Sequence, residues 1–210
     1  MQTAAIQFGF TFAQMFCMKK FLVYAAIIAL AACKGSDQKA QAEQKPQGPL
    51  AKSANSEIFN RSFAVMLDNY YTLKDNFVAE KQPEIDASAK TLLLSVDSLK
   101  LSELKGDTNI IATARTYTEG IAAELKGLVG EKDLENKRKS FQMVGDQLYD
   151  LLRTVQYDRA VIYHQYCPMA FNDQGANWLS NTAEVKNPYI PKKMLTCGEV
   201  KDSIDFRPKP

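Results

Sequence analysis

The chain has 210 residues, enough for one compact domain, and its 26 basic residues nearly balance 24 acidic ones. Such a balance provides no strongly basic face for releasing phosphate counterions, so a nucleic-acid partner is not expected. The single histidine also excludes the paired Glu-x-x-His di-iron site found in some helical proteins.

The N-terminal segment has the pattern of an export signal. From Met18 it reads MKKFLVYAAIIALAAC, with two lysines, an apolar run too short to span a bilayer, and small residues before Cys33. We therefore predict a signal peptide over residues 1–32. Residues 1–17 carry no charged side chain and are expected to precede the true start codon. The sequence Leu-Ala-Ala-Cys ending at Cys33 resembles a bacterial lipobox, which implies lipidation of Cys33 and an extracytoplasmic, membrane-anchored protein.

The next two segments differ sharply in apolar content. Residues 33–57 are polar and contain Gly48-Pro49, so we expect a lipidated N-terminus followed by a flexible linker. Residues 58–156 hold four stretches in which apolar residues recur every three or four positions, a helical period. Turn and cap residues separate these stretches, among them Pro83 and Gly130. The predicted fold is therefore all-α, an up-down-up-down four-helix bundle.

The C-terminal segment, residues 157–210, has a different character. Val161-Ile162-Tyr163 suits a short strand, but Pro, Asn and Gly dominate from Cys167 onward. Enough apolar residues, Trp178 among them, are present to attach the segment to the helices. We predict an irregular C-terminal loop region packed on the bundle.

This loop region concentrates soft metal ligands. His164, Cys167 and Met169 lie within six positions, and Met194 and Cys197 repeat the two sulfur types. Copper(I) prefers thiolate, thioether and imidazole ligands, so a hairpin that joins the two clusters would make a copper site. Zinc is the second candidate, although methionine is a poor zinc ligand.

The same residues carry a family resemblance. YCPMAFNDQGANWLS, then the NPY of Asn187–Tyr189 and the MLTCG of Met194–Gly198, resembles the C-terminal signature of DUF3347, a family of bacterial lipoprotein domains of unknown function. The resemblance extends from about Ser56 to the end of the chain. Members stand alone or are attached to periplasmic adaptors of heavy-metal efflux pumps, which implies copper handling. Cys-Pro-Met is also similar to a motif of small heavy-metal-binding domains, with Ala170 where that motif has histidine.

A structural interpretation of the loop remains open beside the metal site. Cys167 and Cys197 can form a disulfide around a loop of about thirty residues, which would stabilise the fold by roughly 3–4 kcal/mol. His164 can be a solvated or core histidine, and Trp178 is more often a docking anchor than a metal shield. The residues alone slightly favour the disulfide, whereas the resemblance favours the metal.

We therefore predict an extracytoplasmic lipoprotein that binds a soft, copper(I)-like metal, for buffering or transfer to an efflux system. The expected partners are the membrane and a heavy-metal efflux adaptor or another envelope protein. The alternative is a non-catalytic envelope interaction module with a structural Cys167–Cys197 disulfide. An enzyme is not expected, because nothing beside His164 and Cys167 suggests an orienting group or an oxyanion hole.

Overall fold

A computed structural model describes residues 54–209 of the chain. The predicted signal peptide, the predicted lipidation at Cys33 and the linker up to residue 53 lie outside the described residues. In the part that is described, no helix is both long and apolar enough to cross a membrane.

Four long helices follow one another, as the apolar periodicity predicts. They are α1 (Glu57–Ala79), α2 (Gln82–Asp97), α3 (Thr108–Gly130) and α4 (Leu134–Val155), with a short 3-10 turn at Leu101–Glu103 between α2 and α3. Side-chain oxygens of Ser56, Asp107 and Asp133 accept hydrogen bonds from backbone N–H groups in the first turns of α1, α3 and α4. Pro83 lies in the first turn of α2, where its missing N–H costs nothing.

The helices bury their apolar faces against each other. α1 packs on α2, α2 on α3, and α3 on α4. Aromatic rings bring α1 and α4 together, because Phe141 stacks on Tyr70 with ring centroids 5.3 Å apart and contacts Phe77 at 4.8 Å. An ion pair between the buried Lys137 and Asp86 also links α4 to α2. The four helices therefore contribute to one apolar core.

The C-terminal region forms a small sheet. It contains three antiparallel strands, β1 (Ile162–Cys167), β2 (Ala176–Ser180) and β3 (Glu199–Ile204), in the order β2-β1-β3. Two single-turn helices, α5 (Ala170–Asp173) and α6 (Pro191–Met194), lie in the connections. The predicted all-α fold with an irregular C-terminal loop region is wrong here: the chain is mostly helical, but the strand expected around Ile162 is the centre of a sheet.

The sheet packs on the helices through β2 and α4. Gly145 of α4 lies so close to β2 that a methyl group on it would be 3.9 Å from the backbone of both Asn177 and Trp178. The backbone N–H of Leu179 donates a hydrogen bond of 3.1 Å to the Tyr70 hydroxyl of α1. The helices and the sheet therefore share one core, and the C-terminal region is packed on the helices.

Candidate metal centre

A disulfide joins Cys167 and Cys197, so the two sulfur clusters meet. Cys167 ends β1 and is completely buried, and Cys197 lies two residues before β3. Their Cα atoms are 5.7 Å apart although thirty residues separate them along the chain. The disulfide that the sequence left as an alternative is therefore present, and it closes the segment that contains β2 and α6.

The backbone next to the disulfide is tightly enclosed. Gly198 has a φ of +141°, and a Cβ there would lie 2.8 Å from the Tyr166 carbonyl oxygen and 2.9 Å from the Trp178 ring. Only glycine fits a position with that φ and so little space. The Asn187 side-chain amide donates a hydrogen bond of 3.0 Å to the Cys197 carbonyl oxygen. The glycine of the MLTCG motif and the asparagine of the NPY motif thus have structural roles beside the disulfide.

His164 does not lie with the cysteines. It occupies β1, three residues before Cys167, and side chains alternate between the faces of a strand, so the two residues point to opposite faces. The imidazole packs on the Tyr149 ring of α4 with centroids 4.3 Å apart. Burial lowers the pKa of His164, with Asp202 opposing and Lys201 reinforcing the shift. The turn that contains Met169 begins after Cys167, so His164 lies outside it. His164 is a half-buried histidine between the sheet and α4.

Two exposed methionines lie close to the cysteines along the chain. Met169 lies two residues after Cys167 and is 44% exposed, and Met194 lies three residues before Cys197 and is 38% exposed. The backbone N–H of Cys197 donates a hydrogen bond of 3.1 Å to the Met194 carbonyl oxygen, so a turn holds this pair together. Among residues 54–209, no group of three or more His, Cys, Asp or Glu side chains is placed to hold a metal.

Trp178 anchors the C-terminal segment. Its ring is fully buried and meets the Tyr189 ring edge-on at 6.0 Å. Tyr189 in turn contacts Phe141 of α4 at 6.1 Å, and its hydroxyl donates a hydrogen bond to the Asn177 carbonyl oxygen. The indole ring therefore belongs to the core that joins sheet and helices, which is the docking role that the sequence favoured over metal shielding.

A partly buried ion-pair cluster holds the NPY segment on the helices. Arg138 of α4 donates hydrogen bonds to the Pro188 carbonyl oxygen, at 3.1 Å, and to Glu80, at 2.8 Å. Lys192 forms a second ion pair with Glu80. Burial of Glu80 would raise its pKa, but the hydrogen bonds from Lys192 and Arg138 outweigh burial and lower the pKa. This cluster could not be predicted from the sequence, because its members are scattered over more than a hundred residues of charge-rich chain.

These features define a mostly helical domain with a small antiparallel sheet. A disulfide joins the end of β1 to the residues just before β3. Residues 66–160 match the model of the family described as Protein of unknown function (DUF3347), the family that the sequence resembles. The match covers most of α1, all of α2, α3 and α4, and ends before β1. The Cys-Pro-Met and Met-x-x-Cys-Gly motifs lie outside it. No curated protein and no solved structure was found to match the chain.

Proposed function

We propose that this protein is an extracytoplasmic, lipid-anchored domain that binds a soft metal, copper(I) first, when the Cys167–Cys197 disulfide is reduced. Its role is to buffer the metal or to pass it to an efflux system. The reduced site has four sulfur ligands, from Cys167, Cys197, Met169 and Met194. His164 is left out of this ligand set because it points to the other face of β1.

The observation that carries the proposal is the bond between Cys167 and Cys197, which joins the two sulfur-rich stretches of the chain. Cys167 and Cys197 are close enough to be bonded, and each has an exposed methionine within three residues along the chain. Two thiolates and two thioethers form a ligand set that suits copper(I) and discriminates against zinc, which binds thioethers poorly. Exposed thioethers would also allow ligand exchange, which a metal carrier needs.

Metal binding at this site requires reduction first. A dithiol reductant would transfer two electrons by thiol–disulfide exchange: one of its thiolates attacks a sulfur of the Cys167–Cys197 bond, and its second thiol resolves the mixed disulfide. The products are two cysteine thiols here and one disulfide on the reductant. Binding of copper(I) to both thiolates then releases the two thiol protons.

The proposed compartment is supported by the same bond. Disulfides persist in oxidising surroundings such as the periplasm and the cell surface, and they are rare in the cytoplasm. A signal peptide over residues 1–32 and lipidation at Cys33 would deliver the domain there, in reach of an efflux adaptor or another envelope protein.

The burial of Cys167 favours a second candidate function. The bond would then be a permanent structural crosslink, and the protein would be a non-catalytic envelope interaction module. Closing a loop of this length stabilises a fold by about 3–4 kcal/mol. A structural crosslink would resist mild reductants and would leave Met169 and Met194 without a ligand role.

One titration separates the two functions. The full chain is purified without reductant, its free thiols are counted before and after mild reduction, and copper(I) is added in competition with a chelator. The Cys167→Ser/Cys197→Ser double variant identifies which thiols appear on reduction. Met169→Leu and Met194→Leu test the thioethers, and Met143→Leu is the matched control because Met143 is equally exposed but lies on α4.

If the site binds copper, two thiols appear on mild reduction and copper(I) binds only to the reduced protein. Met169→Leu and Met194→Leu then weaken binding, whereas Met143→Leu and His164→Gln do not. A bond that stays intact under mild reductant, or a reduced protein with no more copper affinity than the double serine variant, would establish the structural alternative.

The helical part serves as the scaffold of either function, and we infer that it has the up-down-up-down arrangement of a four-helix bundle. Consecutive helices pack on each other, and the Tyr70 and Phe141 rings bring the first helix against the last. An experimental structure in which α1 and α3 run antiparallel to each other would contradict this arrangement.

A further inference from the structure

A tyrosine-lined cavity lies on the side of the helical core where α4 leads into the sheet. Its volume is about 460 Å³, within the range of sites for small organic ligands. One wall is a face of α1, formed by Ala64, Leu67, Asp68 and Tyr71, which follow each other at helical spacing. The rest of the lining comes from the α4–β1 connection, the start of β1, Asn181 after β2 and Arg207 after β3.

Three aromatic rings line this cavity. They are those of Tyr71, Tyr157 and Tyr163, from α1, the α4–β1 connection and β1. Tyr157 is fixed by stacking on Phe63, with ring centroids 4.7 Å apart, and Tyr71 meets Tyr70 edge-on at 5.9 Å. The packed core thus holds two of the rings in place before any ligand arrives.

The hydroxyls of Tyr71 and Tyr157 have no hydrogen-bond partner in the part of the chain that the structure describes. Both residues are largely buried, with 8% of Tyr71 and 3% of Tyr157 exposed at the cavity wall. Burial raises the pKa of Tyr157 to about 12, with Asp68 and Asp158 adding to the shift. Burial also raises the pKa of Tyr71, with Tyr157 and Asp68 adding to it. Both hydroxyls are therefore neutral at physiological pH, and both rings keep electron-rich faces.

The cavity carries one uncompensated negative charge. Among residues 54–209, Asp68 and Arg207 are the charged residues that line the cavity. Arg207 is already held by Asp205 through hydrogen bonds of 2.8 and 2.9 Å, so its charge is balanced. Asp68 has no ion-pair partner among the residues that the structure describes, and its carboxylate stands one helical turn from Tyr71.

We propose that this cavity binds a small organic ammonium cation. Aromatic faces attract a cation through their quadrupole, and tyrosine-lined cages with a carboxylate at the rim are suited to alkylammonium groups. Asp68 supplies the counter-charge, the tyrosines supply the aromatic faces, and Ala64 and Leu67 contact the apolar part of the ligand. This site is independent of the sulfur cluster and of any metal.

Calorimetry on the full chain tests this proposal with choline as the probe. Dimethylbutanol, the uncharged carbon isostere of choline, is the matched ligand control. Asp68→Asn removes the counter-charge at an exposed helix position, so the variant is expected to fold. Asp150→Asn makes the same change at an exposed position of α4 away from the cavity. Tyr163→Leu removes one aromatic face from the half-buried rim. Circular dichroism checks that each variant is folded.

We expect choline to bind and dimethylbutanol to bind about tenfold more weakly, since the cationic and carboxylate contributions are lost together. Asp68→Asn and Tyr163→Leu should each weaken choline binding, and Asp150→Asn should not. Three results would overturn the proposal: no heat of binding with choline, equal affinity for the two ligands, or equal affinity of the Asp68→Asn and Asp150→Asn variants for choline.

Discussion

The backbone N–H of Leu179, in β2, donates a hydrogen bond of 3.1 Å to the hydroxyl of Tyr70, in α1. The two residues are 109 positions apart, and both are fully buried. This bond is a direct polar link between the first helix and the sheet. A buried N–H group without a hydrogen-bond partner destabilises the folded protein. Loss of the Tyr70 hydroxyl would therefore remove the bond and also leave the Leu179 N–H unpaired.

Tyr70→Phe should therefore destabilise the whole domain. The ring and its stacking on Phe141 remain, but the Leu179 N–H loses its acceptor in a site that water cannot enter. We expect a loss of about 1–3 kcal/mol in the free energy of unfolding, measured by denaturant titration. Tyr149→Phe is the control, because the Tyr149 hydroxyl bonds to exposed groups. Equal losses in the two variants would argue against a special role for the Leu179 link.

Two helical glycines should respond in opposite ways to alanine. Gly127 of α3 has open space where a Cβ would lie, so Gly127→Ala should stabilise by about 0.5–1 kcal/mol through helix propensity. A Cβ at Gly145 would lie 3.1 Å from the Tyr70 hydroxyl, which cannot move without losing Leu179. Gly145→Ala should therefore lower the melting temperature. A rise in melting temperature for both variants would mean that α4 and β2 can move apart without loss of stability.

Arg138 should matter far more than Lys192, although both pair with Glu80. Arg138→Met keeps the aliphatic stem but removes the bonds to Glu80 and to the Pro188 carbonyl, in a site where the Arg138 side chain is 9% exposed. We expect a loss of about 1–3 kcal/mol in the free energy of unfolding. Lys192→Met alters a side chain that is 80% exposed, and pairs of that kind contribute about 0–1 kcal/mol.

The contribution of the Glu80 ion-pair cluster to stability should decrease in acid. The pKa of Glu80 is lowered in the folded protein, so its contribution to stability is present above the ordinary value of 4.5 and is lost as the pH falls through the folded pKa. Arg138→Met should therefore show a smaller loss of stability in acid than the parent chain. Parallel pH profiles for the two proteins would contradict this.

His164 should make the domain sensitive to mild acid. Its pKa is lowered by burial against Tyr149, so the unfolded chain takes up a proton first, from about pH 6.5 downward. Stability is then complete above that pH and falls as the pH drops below it. We expect the difference in unfolding free energy between the parent and His164→Gln to shrink from about pH 8 to about pH 5. A constant difference would show that the imidazole does not titrate on unfolding.

The four helices could be predicted because each buries one apolar stripe. Every stripe residue of α1 from Phe59 to Phe77 is buried, and the predicted turn residues lie at or near the helix ends. The spacing of apolar residues and the capping residues determine where such helices form, and both can be read from the sequence. The αL conformation of Glu80 at the end of α1 was not visible, since no glycine marks it.

The sheet was largely missed because its strands are defined by partners far along the chain. β1 carries a buried Gln165 and a half-buried His164 where a simple alternation would have polar residues exposed. β2 is buried at four of its five positions, so it lacks the alternation of a half-buried strand. The pairing of Cys167 with Cys197 could be stated only as one of two possibilities, because the sequence spacing of two thiols does not decide between a bond and a metal.

The ring contacts of Tyr189 also mean that the folding unit is larger than the stretch that the family model matches. Residues 66–160 end before β1, yet Tyr70 and Phe141 are covered by Leu179 and Tyr189 from beyond that limit. A fragment cut at the family boundaries would begin inside α1 and expose an aromatic surface that the intact chain conceals. Expression of that fragment should yield an aggregating product, so experiments on this protein need the sheet and its crosslink as well as the helices.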